Sequence, residues 1–198
     1  MDDKQVEELI LQSLEQEIEG ERIYDTALEC AVNGDLRDKW SKYLDETKMH
    51  TAVLMQICEA LFIDPEKETT GRAVVRHVGT ALEEAMKLAR SSGDARAAEL
   101  VASECVVLAE TKDHLDWELL GKCAQHMNGR AGKALHSAYV RIEDQEDAHL
   151  YQTKGFCREL WIKSLGMNPV LPPPEEREKV KTAAAAAEAE NEADKERE

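Results

Sequence analysis

The sequence predicts an all-α fold: a bundle of four long helices, an additional long helix connecting them, and a C-terminal tail. Ala, Leu, Glu and Lys are abundant while aromatic residues make up only 5%, a balance that leans towards long helices. Apolar residues recur at three- and four-residue spacing through most of the chain, which marks one face of a helix. Breaks in that pattern are sparse, so the helices between them are long.

The breaks define the elements in order. Asn33-Gly34-Asp35 ends a first helix at 4–32 and caps a second at 35–62. Asp64-Pro65 and Thr69-Thr70-Gly71 bracket a short connection to a third helix at 70–91. Ser91-Ser92-Gly93-Asp94 stops it and starts a fourth at 94–127, and Asn128-Gly129 leads to a fifth at 131–165, closed by Leu165-Gly166 and Pro169. Short turns make the first pair and the last pair antiparallel hairpins. The middle helix spans roughly 33 Å at 1.5 Å per residue, long enough to cross the bundle from one hairpin to the other. Residues 1–168 are expected to form the bundle. Residues 169–198 are expected to form a Pro-rich spacer, Pro172-Pro173-Pro174, and a mobile acidic Ala/Glu-rich tail that lacks large apolar residues.

Bulk properties exclude several function classes. A net charge of −16 repels phosphate backbones, so nucleic acid is not an expected partner. No apolar run approaches the ~18 residues of a membrane span. The polar start Met1-Asp2-Asp3-Lys4-Gln5 is unlike a signal peptide. The five cysteines form no C-x-x-C pair, which removes a rubredoxin-like or zinc-ribbon site. Together these features predict a cytoplasmic protein with reduced thiols.

Charged residues interrupt the apolar faces. The fifth helix carries Leu135, Tyr139, Ile142, Glu146, His149, Thr153, Phe156 and Leu160 on one line. Glu146-x-x-His149 puts a carboxylate and an imidazole one turn apart on that face. The first helix carries Glu17 and Glu21 between Leu14 and Tyr24; the second carries Glu46 and His50 between Tyr43 and Leu54; the fourth carries Glu110 and His114 between Val107 and Trp117. Buried carboxylates are costly unless paired or metal-bound. Four such interruptions, one on each of four long helices, point to a metal centre. The levels also agree: Glu21 precedes Gly34 by 13 residues and Glu46 follows it by 12, while Glu110 and Glu146 flank Asn128 by 18 each.

On these residues the chain resembles the ferritin-like di-iron carboxylate superfamily, in particular its rubrerythrin-type and encapsulated-ferritin-like branches. Gly20-Glu21 with Tyr24 and Ala27 is similar to a rubrerythrin-type first helix, Glu110 to the third family helix, and Glu146-Asp147-Ala148-His149 to the fourth. The second helix departs from the Glu-x-x-His pattern: Met49 holds the family's His position and His50 follows it. The resemblance implies a ferritin-like four-helix bundle with two iron ions, manganese being the other candidate. Glu46 and Glu146 would bridge them, Glu21 and Glu110 would be terminal ligands, and His50 and His149 would each give one nitrogen. His114 and Glu17 are additional candidates; Glu143 and Glu104 are expected on the surface or behind the ligands, and Tyr24 and Tyr139 in core packing. The implied activity is oxidation of Fe(II) with oxygen or hydrogen peroxide, in iron handling or peroxide detoxification, by a homo-oligomer. Without a C-x-x-C site, peroxidase turnover would draw on an external electron donor. A di-iron substrate oxygenase, favoured by the extra His114, and a metal-free helical interaction module are the alternatives.

Overall fold

The computed structural model describes residues 1–174 together with 189 and 192; the five-alanine run at 183–187 and most of the expected tail lie outside the described residues. The described chain is all-α, with α1 (Asp3–Cys30), α2 (Gly34–Leu61), α3 (Thr70–Ser91), α4 (Ala95–His126) and α5 (Gly129–Ser164). Every boundary lies within two residues of its expected position. Local chemistry explains this. The side chains of Asp2, Asn33, Thr69 and Asp94 accept from backbone N–H groups in the first turns of α1 to α4, satisfying donors that have no partner within the helix. The tight start of α5 has another cause: a Cβ on Gly132 would lie 2.2 Å from the Met127 carbonyl oxygen.

Helix α1 packs against α2, α3 and α4; α5 packs against α2 and α4; among the five described helices α3 touches α1 and α4. The packing therefore closes a ring α1–α2–α5–α4 with α3 alongside. Neighbours in the ring are antiparallel: Glu17 meets His50, Tyr43 meets Gln152 while His50 meets Gln145, and His114 meets Asp147. Helix α3 runs parallel to α1, since Thr69 donates to Glu8, Arg72 to Glu15 and Thr26 to Glu83. It thus carries the chain from the end of α2 to the opposite end of the bundle, where α4 begins. Among the described residues no helix is long and apolar enough to cross a membrane. All five cysteines are free; Cys30, Cys58 and Cys105 are buried.

The apolar core falls into two parts. One contains Tyr24, Trp40, Tyr43, Met86, Val106 and Phe156. The other contains Ile10, Leu14, Leu54, Trp117, Leu120 and Ile142. Between them lies a belt of buried charged and polar side chains.

Most buried acids outside that belt are satisfied. Glu99 accepts from the backbone N–H groups of Val32 and Asn33 at 2.7 and 2.5 Å, tying the α1–α2 turn to α4. Glu159 accepts from Arg158 and from the Val170 backbone, and Leu171 packs on the core. The expected spacer therefore begins on the bundle surface: Val170 and Leu171 dock against it.

Glu15 holds α3 to α1 through Arg72 and Arg76, each at 2.6 Å. Burial pushes the Glu15 carboxyl up, but hydrogen bonds from Arg76 and Arg72 outweigh it and hold the pKa below the ordinary 4.5. A depressed carboxylate stabilises the fold above its unfolded pKa, and that contribution disappears as pH falls through the folded value. Glu15→Gln leaves the buried Arg72 without its counter-charge and is expected to cost about 3–5 kcal/mol. Urea unfolding at pH 7 measures this loss, and the gap to the parent protein should narrow as the pH drops below 4.5.

Candidate metal centre

The belt is built by one or two residues from each helix of the ring: Glu17 of α1, His50 of α2, Glu110 of α4, and Glu146 and His149 of α5. Each is at most 3% exposed. Donor atoms of Glu17, His50 and Glu146 lie within 4.8 Å of one another, as do those of Glu110, Glu146 and His149. Glu146 is common to both groups, so the arrangement can hold two cations with this carboxylate between them. His50 Nδ1 is 2.9 Å from Glu146 and 3.4 Å from Glu17. His149 Nδ1 is 3.5 Å from Glu110 and 3.7 Å from Glu146.

The atoms of these groups that face the centre lack aligned hydrogen-bond partners. Glu17 Oε2, His50 Nδ1, Glu110 Oε2, both Glu146 oxygens and His149 Nδ1 are all buried and unsatisfied. Each such orphan costs about 1–3 kcal/mol. A cation would satisfy them together; the ionised carboxylate oxygens cannot satisfy one another, because they only accept, and the imidazole Nδ1 atoms beside them make no aligned hydrogen bond. The donor set therefore fits metal ions.

The outer nitrogens fix how the imidazoles face. Gln145 Nε2 donates to Glu46 Oε1 at 2.9 Å, which turns Gln145 Oε1 towards His50 Nε2, also at 2.9 Å. That oxygen only accepts, so His50 Nε2 carries a proton and Nδ1 faces the centre. His149 Nε2 likewise lies 3.1 Å from Glu46 Oε2 and turns its Nδ1 inward. Burial raises the Glu46 carboxyl, but bonds to His149 and Lys42 outweigh it and keep the pKa below normal. Glu46 therefore stands behind His149 as its orienting carboxylate. Supporting partners of this kind are worth 10- to 100-fold in metal affinity. Gln145→Leu is expected to weaken metal binding by about that factor while the helix content seen by circular dichroism stays unchanged; competition with a chelator of known affinity measures it.

The structure rearranges several sequence expectations. Glu17, an additional candidate, sits in the cluster, with Oε1 held by Trp117 Nε1 at 2.7 Å. Glu21, the expected terminal ligand, lies half-buried and accepts from Thr51 at 2.8 Å. His114 is not brought in; it pairs with Asp147 at 2.7 Å near the surface. On α5, Ala138 takes the buried position expected for Tyr139, which instead lies half-buried and donates to the exposed Glu143. Glu104 is half-buried and accepts from Trp161. Tyr24 is wholly buried beside the centre, its ring edge-on to His149.

Asp113 is a residue that sequence reading missed. It is 3% exposed with Oδ1 unsatisfied, and burial with the nearby carboxylates of Glu17 and Glu146 holds its pKa well above the usual range. The signal was Glu110-x-x-Asp113, which repeats the three-residue step of Glu146-x-x-His149. Comparison with family models, with curated proteins and with solved structures yielded no match to this chain.

Proposed function

We propose that this chain is a ferritin-like di-iron carboxylate protein that binds two iron ions through Glu17, His50, Glu110, Glu146 and His149 and oxidises Fe(II) with oxygen or hydrogen peroxide. The observation that carries the reading is the sealed set of unpaired donor atoms joined through Glu146. The ring of α1, α2, α5 and α4 with α3 alongside supports it, read as the four-helix bundle and crossover helix of that superfamily. Mixed carboxylate and imidazole donors suit iron or manganese better than copper or a closed zinc site.

Bound iron would supply one electron per ion on passing from Fe(II) to Fe(III). The chain's own residues prepare that chemistry. Trp117 fixes one Glu17 oxygen and leaves the other facing the centre. Gln145 and Glu46 hold the two imidazoles in the orientation that offers Nδ1. Tyr24 stays protonated, because burial and the Glu110 charge both raise its pKa, and so remains a hydrogen-bond donor at the edge of the site. The two apolar core clusters exclude water from either end.

The test is metal analysis of purified protein, then anaerobic Fe(II) titration followed by oxygen or peroxide. About two irons per chain with rapid oxidation is the expected result. Absence of both iron and manganese binding would overturn it and leave a helical interaction module. The substrate-oxygenase alternative rested on His114, whose pairing with Asp147 outside the cluster gives it no support.

A further inference from the structure

A cleft of about 320 Å³ opens between α4 and α5 and reaches the centre from one side. Its lining includes His114, Glu118, Tyr139, Glu143, Asp147 and, innermost, Glu146. Gly121 lets the helices accommodate it: the Tyr139 ring lies over this glycine, and a Cβ there would come within 2.6 Å of the ring. The Tyr139 hydroxyl donates to Glu143 at 2.6 Å, and His114 meets Asp147 at 2.7 Å.

The carboxylates descend in exposure along this cleft. Glu118 and Glu143 are exposed, the Asp147 side chain is 25% exposed, and that of Glu146 is 2% exposed. Glu143, Glu146 and Asp147 follow at three and four residues on α5, so they share a face. At the inner end both Glu146 oxygens are buried without an aligned hydrogen bond, Oε1 lying 2.9 Å from His50 Nδ1, and this same carboxylate joins the two donor groups. Against the four acids stands one lysine, Lys122. A narrow cleft lined by one sign of charge concentrates ions of the opposite sign. An anion would be repelled, and an apolar organic molecule would find charged walls.

We propose that this cleft is the route by which divalent cations reach the buried centre, with Glu118, Glu143 and Asp147 drawing the ion in and Glu146 receiving it. The inference rests on the metal-centre reading above and names how that centre is filled. Glu118, Glu143 and Asp147 act on the rate of loading and are not ligands in the loaded state.

The experiment follows Co(II) uptake by chelator-stripped protein in a stopped-flow spectrophotometer, under nitrogen. The parent is compared with the triple variant Glu118→Gln, Glu143→Gln, Asp147→Asn. A control triple, Glu59→Gln, Glu66→Gln, Glu84→Gln, removes the same charge from exposed positions outside the cleft. The cleft triple is expected to load about tenfold more slowly, with a weaker dependence on salt and the final Co(II) content unchanged. The control is expected to load at the parental rate. Equal rates in the two triples would overturn the route. A reduced final content in the cleft triple would also overturn it, because the residues would then be ligands or structural. A parent protein that takes up no Co(II) would overturn the centre itself, an outcome distinct from both.

Discussion

Glu146→Ala is expected to remove both metal ions from the protein, not one. Among the described residues it is the member common to the two donor groups, and its Oε1 lies 2.9 Å from His50 Nδ1 and 3.7 Å from His149 Nδ1. Loss of a supporting partner costs 10- to 100-fold in metal affinity, and loss of a shared ligand is expected to cost more than about 100-fold at both positions. Glu17→Ala should lose one ion, since Glu17 belongs to one group only. Glu21→Ala should keep both, because its carboxylate is turned to Thr51. Metal analysis of the three purified variants after loading with Fe(II) and desalting checks the set. A Glu21→Ala protein emptied of metal, beside a Glu17→Ala protein that stays full, would reverse the assignment.

Metal loading is expected to release protons, and metal affinity to climb steeply with pH. Burial lowers the His50 pKa, but the carboxylates of Glu146 and Glu17 overcome it and push it up to about 11. Burial acts likewise on His149, and Glu110 and Glu46 overcome it, raising the pKa to about 9. In the metal-free chain each Nδ1 thus holds a proton where a cation would bind. Displacing two protons makes the product of the two binding constants rise by about 100-fold per pH unit, tenfold for each proton. The dependence should flatten above pH 9, as His149 loses its proton unaided. Raised imidazole pKa values also stabilise the metal-free fold. That contribution is complete below the ordinary value of 6.5 and is lost as pH rises through about 9 and about 11. Melting temperatures of the metal-free protein should therefore fall across this range. Calorimetric titration in buffers of different ionisation enthalpy counts the protons; release of none would contradict the proposed displacement.

The buried acids differ in what holds them. Glu15, Glu99 and Glu159 are as buried as the central acids, yet each is held by a guanidinium or by backbone N–H groups. Their sequence signature is the same as that of Glu17 or Glu110: an acid on an apolar face. Only the partners separate an acid that fastens the bundle from one of the proposed metal centre, and apart from Arg158, the chain neighbour of Glu159, those partners lie outside the acid's own helix.

The sequence by itself determined the helices and the presence of a charged belt across their apolar faces. Helix ends are local events, set by Asn33, Thr69 and Asp94 capping the residues that follow them, so they can be read from neighbours in the chain. Only the tertiary structure decided which charged residue of each helix faces inward. Side chains advance by about 100° per residue, so Glu17 and Glu21 lie only about 40° apart around α1, and either satisfies the same apolar pattern. The contacts of Trp117 with Glu17 and of Thr51 with Glu21 made the choice. Similarly, Asp113 points into the bundle and His114 to its rim because the phase of α4 is set by packing against α1, α3 and α5. The surroundings of Glu46 were decided in the same way. Its place on α2 was legible, but its position behind His149, beside Gln145, exists only once α2 and α5 are packed together.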